Sequence, residues 1–197
     1  MKIAISGLSG CGISTACEKI SRKLSLKIIN FTFRNMAIEL GTDLETLQER
    51  RKVDDSFDYL LDKRQIKLFE SENRAILGSR LAIWLADANI RIWLHAPLEV
   101  RAKRIALREK TSFQEALLAT KRRDFENNAQ YKKLYGIDVS KHEFVDLVLD
   151  SEKLNADEIA KKILLELKKD KYKNMKKSKY GARIGKIISN GLKRLKC

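Results

Sequence analysis

Three glycines in six positions, Gly7, Gly10 and Gly12, followed by the hydroxyls of Ser14 and Thr15, are the residues whose types and spacing could do chemistry. Glycine lets a backbone come close to an anion, and successive N–H groups at the positive end of a helix dipole then bind it. The stretch Gly7-Leu8-Ser9-Gly10-Cys11-Gly12-Ile13-Ser14-Thr15 follows the phosphate-cradling pattern G-x-x-x-x-G-K-[ST] at every position but one. Gly7 and Gly12 are its glycines, and Ser14 stands where a hydroxyl ligates Mg²⁺. Ile13 occupies the lysine position, so the point charge that would reach the β- and γ-phosphates is absent.

A loop of this kind works only between a strand that ends at it and a helix that starts from it. Residues 2–6 form a short apolar, β-branched run ended by glycine, which predicts a buried strand. Ala16, Ile20 and Leu24 recur at helical spacing behind the loop. Further strands are expected at Lys27–Phe31, Ala75–Leu77, Ile90–Leu94 and Asp146–Asp150. Helices are expected from Phe33 to Leu40, from Phe57 to Glu70, from about Leu98, over 111–134, and from Ala156 to Leu167. A short helix or turn is expected over Leu81–Leu85. Thr42 and Glu45 resemble an N-terminal capping pair. The helix 57–70 places Asp58, Asp62 and Gln65 near one another. Strands alternating with helices imply an α/β fold with a parallel sheet of about five strands covered on both faces. Ligands then sit at the carboxyl ends of strands, where the loops after Ser6, Leu77 and Leu94 would converge.

A length of 197 residues suits one ordinary domain with some excess, and the single proline, Pro97, marks no linker. There is no internal repeat and no apolar run near the roughly twenty residues a membrane span needs. The start lacks the apolar core of a signal peptide, so a cytoplasmic setting is expected. Cys11, Cys17 and Cys197 form neither a metal motif nor an even disulfide framework, and His95 and His142 are isolated, which favours structural roles. The formal charge of +15 is uneven: residues 168–197 hold twelve of the 41 Lys/Arg against one acid, Asp170.

Taken together, residues 1–167 resemble the archaeal type of cytidylate kinase, a P-loop nucleoside monophosphate kinase. The glycine loop is similar to that family's G-L-P-G-S-G-T-T-T. Phe33-Arg34 resembles its F-R, and Phe57-Asp58 through Leu61-Asp62-Lys63-Arg64-Gln65 resembles I-D-x-x-I-D-R-R-Q. Arg80-Leu81-Ala82-Ile83-Trp84 resembles R-L-A-G-W, Ala96 to Ala106 is nearly A-P-L-E-V-R-A-E-R-I-A, and Ser112 to Leu117 resembles S-F-E-E-A-L. Tyr131 to Asp138 resembles Y-K-E-Y-Y-G-I-D.

The resemblance implies a P-loop three-layer sandwich with a helical lid, and transfer of the ATP γ-phosphoryl group to CMP or dCMP with Mg²⁺. It implies that residues 7–15 hold ATP, that Ser14 contacts the metal, and that Arg34, Asp62, Arg80 and Asp124 serve the acceptor. Arg80, Arg104 and Arg123 are the expected catalytic residues, with Arg108 and Arg122 on or beside the lid; guanidinium forks match phosphate oxygens. The departures lie at the catalytic end. Besides Ile13, Asn30-Phe31 replaces Gly-Asp, Gly78-Ser79 replaces Glu-Gly and removes an acid expected to order Mg²⁺, and Asn127 and Gln130 replace an acid and an arginine of the lid.

Residues 168–197 are read as a basic extension of a domain spanning 1–167. Lys168 to Lys179 is almost wholly polar and is expected to be disordered or a frayed helix end. Ile184, Ile187, Ile188, Leu192 and Leu195 then share one helical face. Such a segment can be a solvated extension, or can engage RNA or an anionic surface, with Tyr172 and Tyr180 available for stacking. Two alternatives follow: a nucleotide-binding pseudo-kinase whose tail engages RNA or ribosomes, and a related kinase acting on AMP. A cytidylate-type enzyme should keep its activity without 168–197, whereas the pseudo-kinase should lose its partner on that truncation. Oligomeric state is not readable from the sequence.

Overall fold

The computed structural model describes residues 1–178 and 181–194. Five strands, β1 (Lys2–Gly7), β2 (Lys27–Ile29), β3 (Ala75–Gly78), β4 (Ile90–His95) and β5 (Leu147–Asp150), form one sheet in the order β2-β3-β1-β4-β5. Every pairing is parallel. The helices are α1 (Ile13–Leu24), α2 (Phe33–Glu39), α3 (Leu44–Val53), α4 (Ser56–Glu70), α5 (Ala82–Leu85), α6 (Leu98–Glu109), α7 (Phe113–Tyr135), α8 (Ala156–Glu166) and α9 (Gly181–Arg194).

Strand residues point alternately to opposite faces, and that alternation builds two cores. Ile3, Ile5, Ile76, Ile90, Ile92 and Leu94 face α1 and α8. Ala4, Ala75, Leu77 and Trp93 face the other way, toward α4, α5, α7 and α9. On that second side Trp84 is fully buried and meets Trp93 and Phe144 edge-on. Burying a side chain of this class contributes about 1.5–3 kcal/mol, so the sandwich is held from both faces.

Three local expectations change. β2 stops at Ile29, because Phe31 leaves the sheet to join a small cluster with Met36, Ala37 and Leu47. Asp43, not Thr42, caps α3, its carboxylate accepting from the Thr46 amide at 2.7 Å. The loop after β5, rather than the one after β4, joins the cleft at the carboxyl end of the sheet.

The largest change concerns the segment after α8. Residues 170–172 form a 3-10 turn that buries Tyr172, and Lys176 pairs through both backbone groups with Ala88. Asn89 Nδ2 donates to the Tyr172 carbonyl at 2.9 Å, and Ser178 donates from its hydroxyl to Trp84 O and from its amide to Asp87 Oδ1, both at 2.6 Å. Tyr172 belongs to the α1/α8 core, whereas Ile184 and Ile188 of α9 belong to the opposite one. The segment therefore crosses beneath the sheet as a strap joining both layers. Over the described part of this stretch, 168–178, the expected disorder or frayed helix end is not found, because main-chain pairing and a buried ring outweigh the polar composition; Lys179 lies outside the described residues. Tyr172, 1% exposed, is unavailable for stacking on a base. Tyr180, Leu195 and Cys197 lie outside the described residues.

Candidate active site

The glycine loop joins β1 to α1. Gly10 and Gly12 have φ of 87° and 86°, the left-handed region that glycine adopts without a Cβ penalty. Gly10 could carry no side chain in any case, since a Cβ there would stand 2.9 Å from both the Cβ and the carbonyl oxygen of Arg101. Arg101, 4% exposed, braces the loop: its NH1 donates to Ser9 O at 3.2 Å and to Asp124 at 2.7 Å, and its Nε donates to Ala96 O at 3.1 Å. Gly12, as the N-cap of α1, has no side chain to offer the first-turn amides, which leaves the positive helix end open to an anion. Ser14 and Thr15 lie exposed on that turn.

Beside the loop the space for an acid at position 78 is filled. A Cβ on Gly78 would meet Cys17 Sγ at 2.6 Å and Ile13 Cγ2 at 3.0 Å. Burial pushes the Cys17 thiol up to about 12, so it acts as packing rather than as a nucleophile.

A cleft of about 690 Å³ runs over the loop, a volume suited to small-molecule ligands. Strand order explains its two ends. The connection after β1 runs toward β2 and that after β4 toward β5, so elements following these strands flank the loop on opposite sides. One end is lined by Phe31, Phe33, Asp58, Asp62, Gln65 and Tyr131. The other is lined by Arg104, Arg108, Ser151, Leu154 and Asn155.

Helical spacing places Asp58, Asp62 and Gln65 together as expected, all buried on the inner face of α4. Asp58 is ion-paired with Arg51 at 2.8 Å and receives Gln130 Nε2 at 3.2 Å. Asp62 accepts from the Tyr135 hydroxyl at 2.6 Å. Burial pushes the Asp62 carboxyl up to about 7; the Tyr135 hydrogen bond and the Arg51 charge lower it, and the Asp58 charge raises it.

The arginines separate. Arg80 lines the cleft, and its NH2 donates to Ser9 Oγ at 2.6 Å, linking the β3–α5 turn to the loop. Arg123 and Arg108 also line the cleft. Arg104 lines it too, but donates to Gly10 O, Ser151 Oγ and Ser151 O at 3.3, 3.1 and 2.6 Å, so much of its guanidinium ties the loop to the end of β5. Arg122 points away and pairs with Glu126 on the exposed face of α7. Arg34 is exposed at the start of α2 and lies outside the cleft lining, because the inner face of that short helix is given to Met36 and Ala37. Asp124 is likewise outside the lining, taken up by Arg101.

Arg101, Arg51, Tyr131, Ser79 and the Ser151–Asn155 turn carry no role in the sequence reading. Arg101 and Tyr131 fall within quoted motifs, but nothing in residue type distinguishes a brace from a surface charge. The Ser79 hydroxyl is buried at the cleft with no partner among the described residues.

The fit to a Mg²⁺ ion is partial. Ser14 supplies a hydroxyl at the α1 N-terminus, whereas positions 78 and 31, where the resemblance leads one to expect acids, hold glycine and phenylalanine. Among the described residues no three His, Cys, Asp or Glu side chains cluster as a metal site, and no helix is long and apolar enough to cross a membrane.

A sequence model of the cytidylate kinase-like family matches residues 2–153. A cytidylate kinase of Thermococcus sibiricus is 39% identical over 158 residues, covering 79% of this chain and 81% of its own. A cytidylate kinase 2 of Borrelia garinii subsp. bavariensis is 37% identical over 179 residues, covering 88% of this chain and all of its own. Among solved structures, deoxyadenosine kinase from M. mycoides with bound dATP superposes with a TM-score of 0.56 at 20% identity, over 86% of this chain and 100% of that one, which shows the shared P-loop kinase fold. With the glycine loop, the five-stranded parallel sheet and most of its length matched, the chain belongs to the cytidylate kinase-like family, a family of kinases.

Proposed function

We propose that the protein transfers the γ-phosphoryl group of ATP to CMP or dCMP, giving ADP and the nucleoside diphosphate. The observation that carries this reading is one continuous cleft in which the open α1 N-terminus lies between two differently lined ends. The amides of residues 7–15 hold the donor phosphates, with its nucleoside toward Arg104, Arg108 and Asn155. The acceptor occupies the end lined by Phe31, Phe33, Asp62 and Gln65. Arg80 and Arg123 stand between them and neutralise charge on the transferred group, replacing in part the lysine that Ile13 displaces. Mg²⁺, when bound, offsets charge on the β- and γ-phosphoryl oxygens, and Ser14 is the residue that would hold it. With no carboxylate at 78, most of its ligands would be phosphate oxygens and water.

Purified protein with ATP and Mg²⁺ should form CDP and dCDP from their monophosphates. No diphosphate from CMP, dCMP, UMP or AMP would overturn the reading. A nucleotide-binding protein of low turnover is the second reading, favoured by the filled corner at Gly78. Exposed Lys168, Lys177, Arg183 and Lys186 on the strap and α9 also suit a polyanion such as RNA. Binding to it should weaken steeply with added salt.

A further inference from the structure

Asp58 lines one end of the cleft and is 3% exposed. A carboxylate so placed needs a cation beside it, and without one it would also repel an anionic ligand entering that end. The cation comes from outside the cleft lining. Leu47, fully buried, seats α3 on the cluster of Phe31, Met36 and Ala37, and Arg51 lies one turn further along the same helix face. Arg51 Nε reaches both Asp58 oxygens at 2.9 Å, and its NH2 reaches Oδ1 at 2.8 Å. The guanidinium carbon also stands 4.6 Å from the centre of the Phe33 ring, another lining residue of this end. One side chain of α3 thus fixes the first residue of α2 and the inner face of α4 together.

Helix α7 reaches the same carboxylate with a neutral group. Gln130 Nε2 donates to Asp58 Oδ2 at 3.2 Å and to Asp55 Oδ1 at 3.0 Å. The resemblance leads one to expect an arginine at position 130, and a guanidinium there would be within reach of Asp58. Asp58 needs one positive partner, and in this chain it is carried by α3 instead of α7. Movement of α7, which brings Arg123 and Tyr131 to the cleft, then leaves the Asp58 charge paired.

We infer that Arg51 is a positioning residue for the acceptor: through Asp58 and Phe33 it keeps that end of the cleft formed and electrically neutral, in place of a cation on α7. The inference rests on the assignment of this end to the acceptor, and it concerns what holds the wall rather than which base is read or how phosphate moves.

The test compares binding of CMP and of ATP with Mg²⁺ to the full chain by calorimetry, at a temperature where each variant is folded. Arg51→Ala should bind CMP about ten- to a hundredfold more weakly, and ATP within about twofold of the unaltered protein. Arg51→Met keeps bulk against Phe33 but not the charge, and should lose CMP affinity as well. Adding Gln130→Arg to Arg51→Ala should restore most of the loss, which a packing role for Arg51 would not allow. Should the single variants fail to fold, the double variant decides alone: it should fold and bind CMP within about tenfold of the unaltered protein. Full CMP affinity in Arg51→Ala or Arg51→Met, equal losses for CMP and ATP, or no recovery in the double variant overturns the inference and leaves the acceptor assignment standing. Absence of CMP binding to the unaltered protein overturns that assignment and this inference with it.

Discussion

A Cβ built on Gly78 stands 2.6 Å from the sulfur of Cys17, so these two residues, one at the end of β3 and one inside α1, claim the same volume. Cys17 is 2% exposed and cannot swing into solvent. A carboxylate at position 78 and a cysteine at position 17 are sterically exclusive in this backbone.

Gly78→Glu alone is therefore expected to destabilise the fold by about 1–3 kcal/mol through overpacking. Adding Cys17→Ala should recover most of that loss, although Ile13 Cγ2 still borders the corner. A double-mutant cycle by urea denaturation measures the coupling, expected to be at least roughly 1 kcal/mol. Additive effects would show that the corner relaxes freely.

Adjacent arginines on α7 should behave differently. Arg123→Ala, which removes a cleft-lining charge, is expected to lower kcat by about a hundredfold if phosphoryl transfer occurs. Arg122→Ala removes an exposed pair with Glu126, worth less than about 1 kcal/mol, and should leave steady-state kinetics unchanged. Equal losses in both variants would place the active groups elsewhere.

The buried carboxyl of Asp62 makes a pH-dependent contribution to stability. Raised to about 7 from an ordinary value of 3.8, it keeps its proton in the folded chain after the unfolded chain has lost it. Its contribution is therefore complete below about pH 4 and is lost as pH rises through 7. Arg51, Asp58 and Tyr135 share its surroundings and set the size of the effect. Asp62→Asn, which cannot ionise, should gain on the unaltered protein by roughly 1–4 kcal/mol between pH 4 and 8. Parallel stability curves for the two proteins over that range would contradict the raised value.

Removal of residues 168–197 should weaken the fold, contrary to what the polar composition of the segment suggests. Tyr172, Ile184 and Ile188 are all at most 2% exposed, and the deletion uncovers both cores at once. Allowing for the ordering entropy regained, a net loss of about 3 kcal/mol corresponds to roughly 6–12 °C in Tm for a chain of this size. Ile184→Ala alone should cost about 2–5 kcal/mol. An unchanged Tm after truncation would mean that the strap contributes nothing to the domain.

The sequence by itself determined the glycine turn between β1 and α1, the five strands and the inward face of α4. Each rests on short-range rules: glycine at positive φ, alternation along a strand, and three- or four-residue spacing around a helix. Tertiary structure alone decided that Arg123 faces the cleft and Arg122 does not, that Arg101 braces the loop, and that one oxygen of Gln65 has no partner among the described residues. It also decided that a lysine-rich tail crosses under the sheet, because one buried tyrosine and two isoleucines find room there that composition cannot reveal. The physical reason is common to all of these. A side chain's role depends on which distant segment supplies its partner, as Phe31 does for Gln65 and Cys17 does for Gly78, and that is a property of the packed chain rather than of any stretch of it.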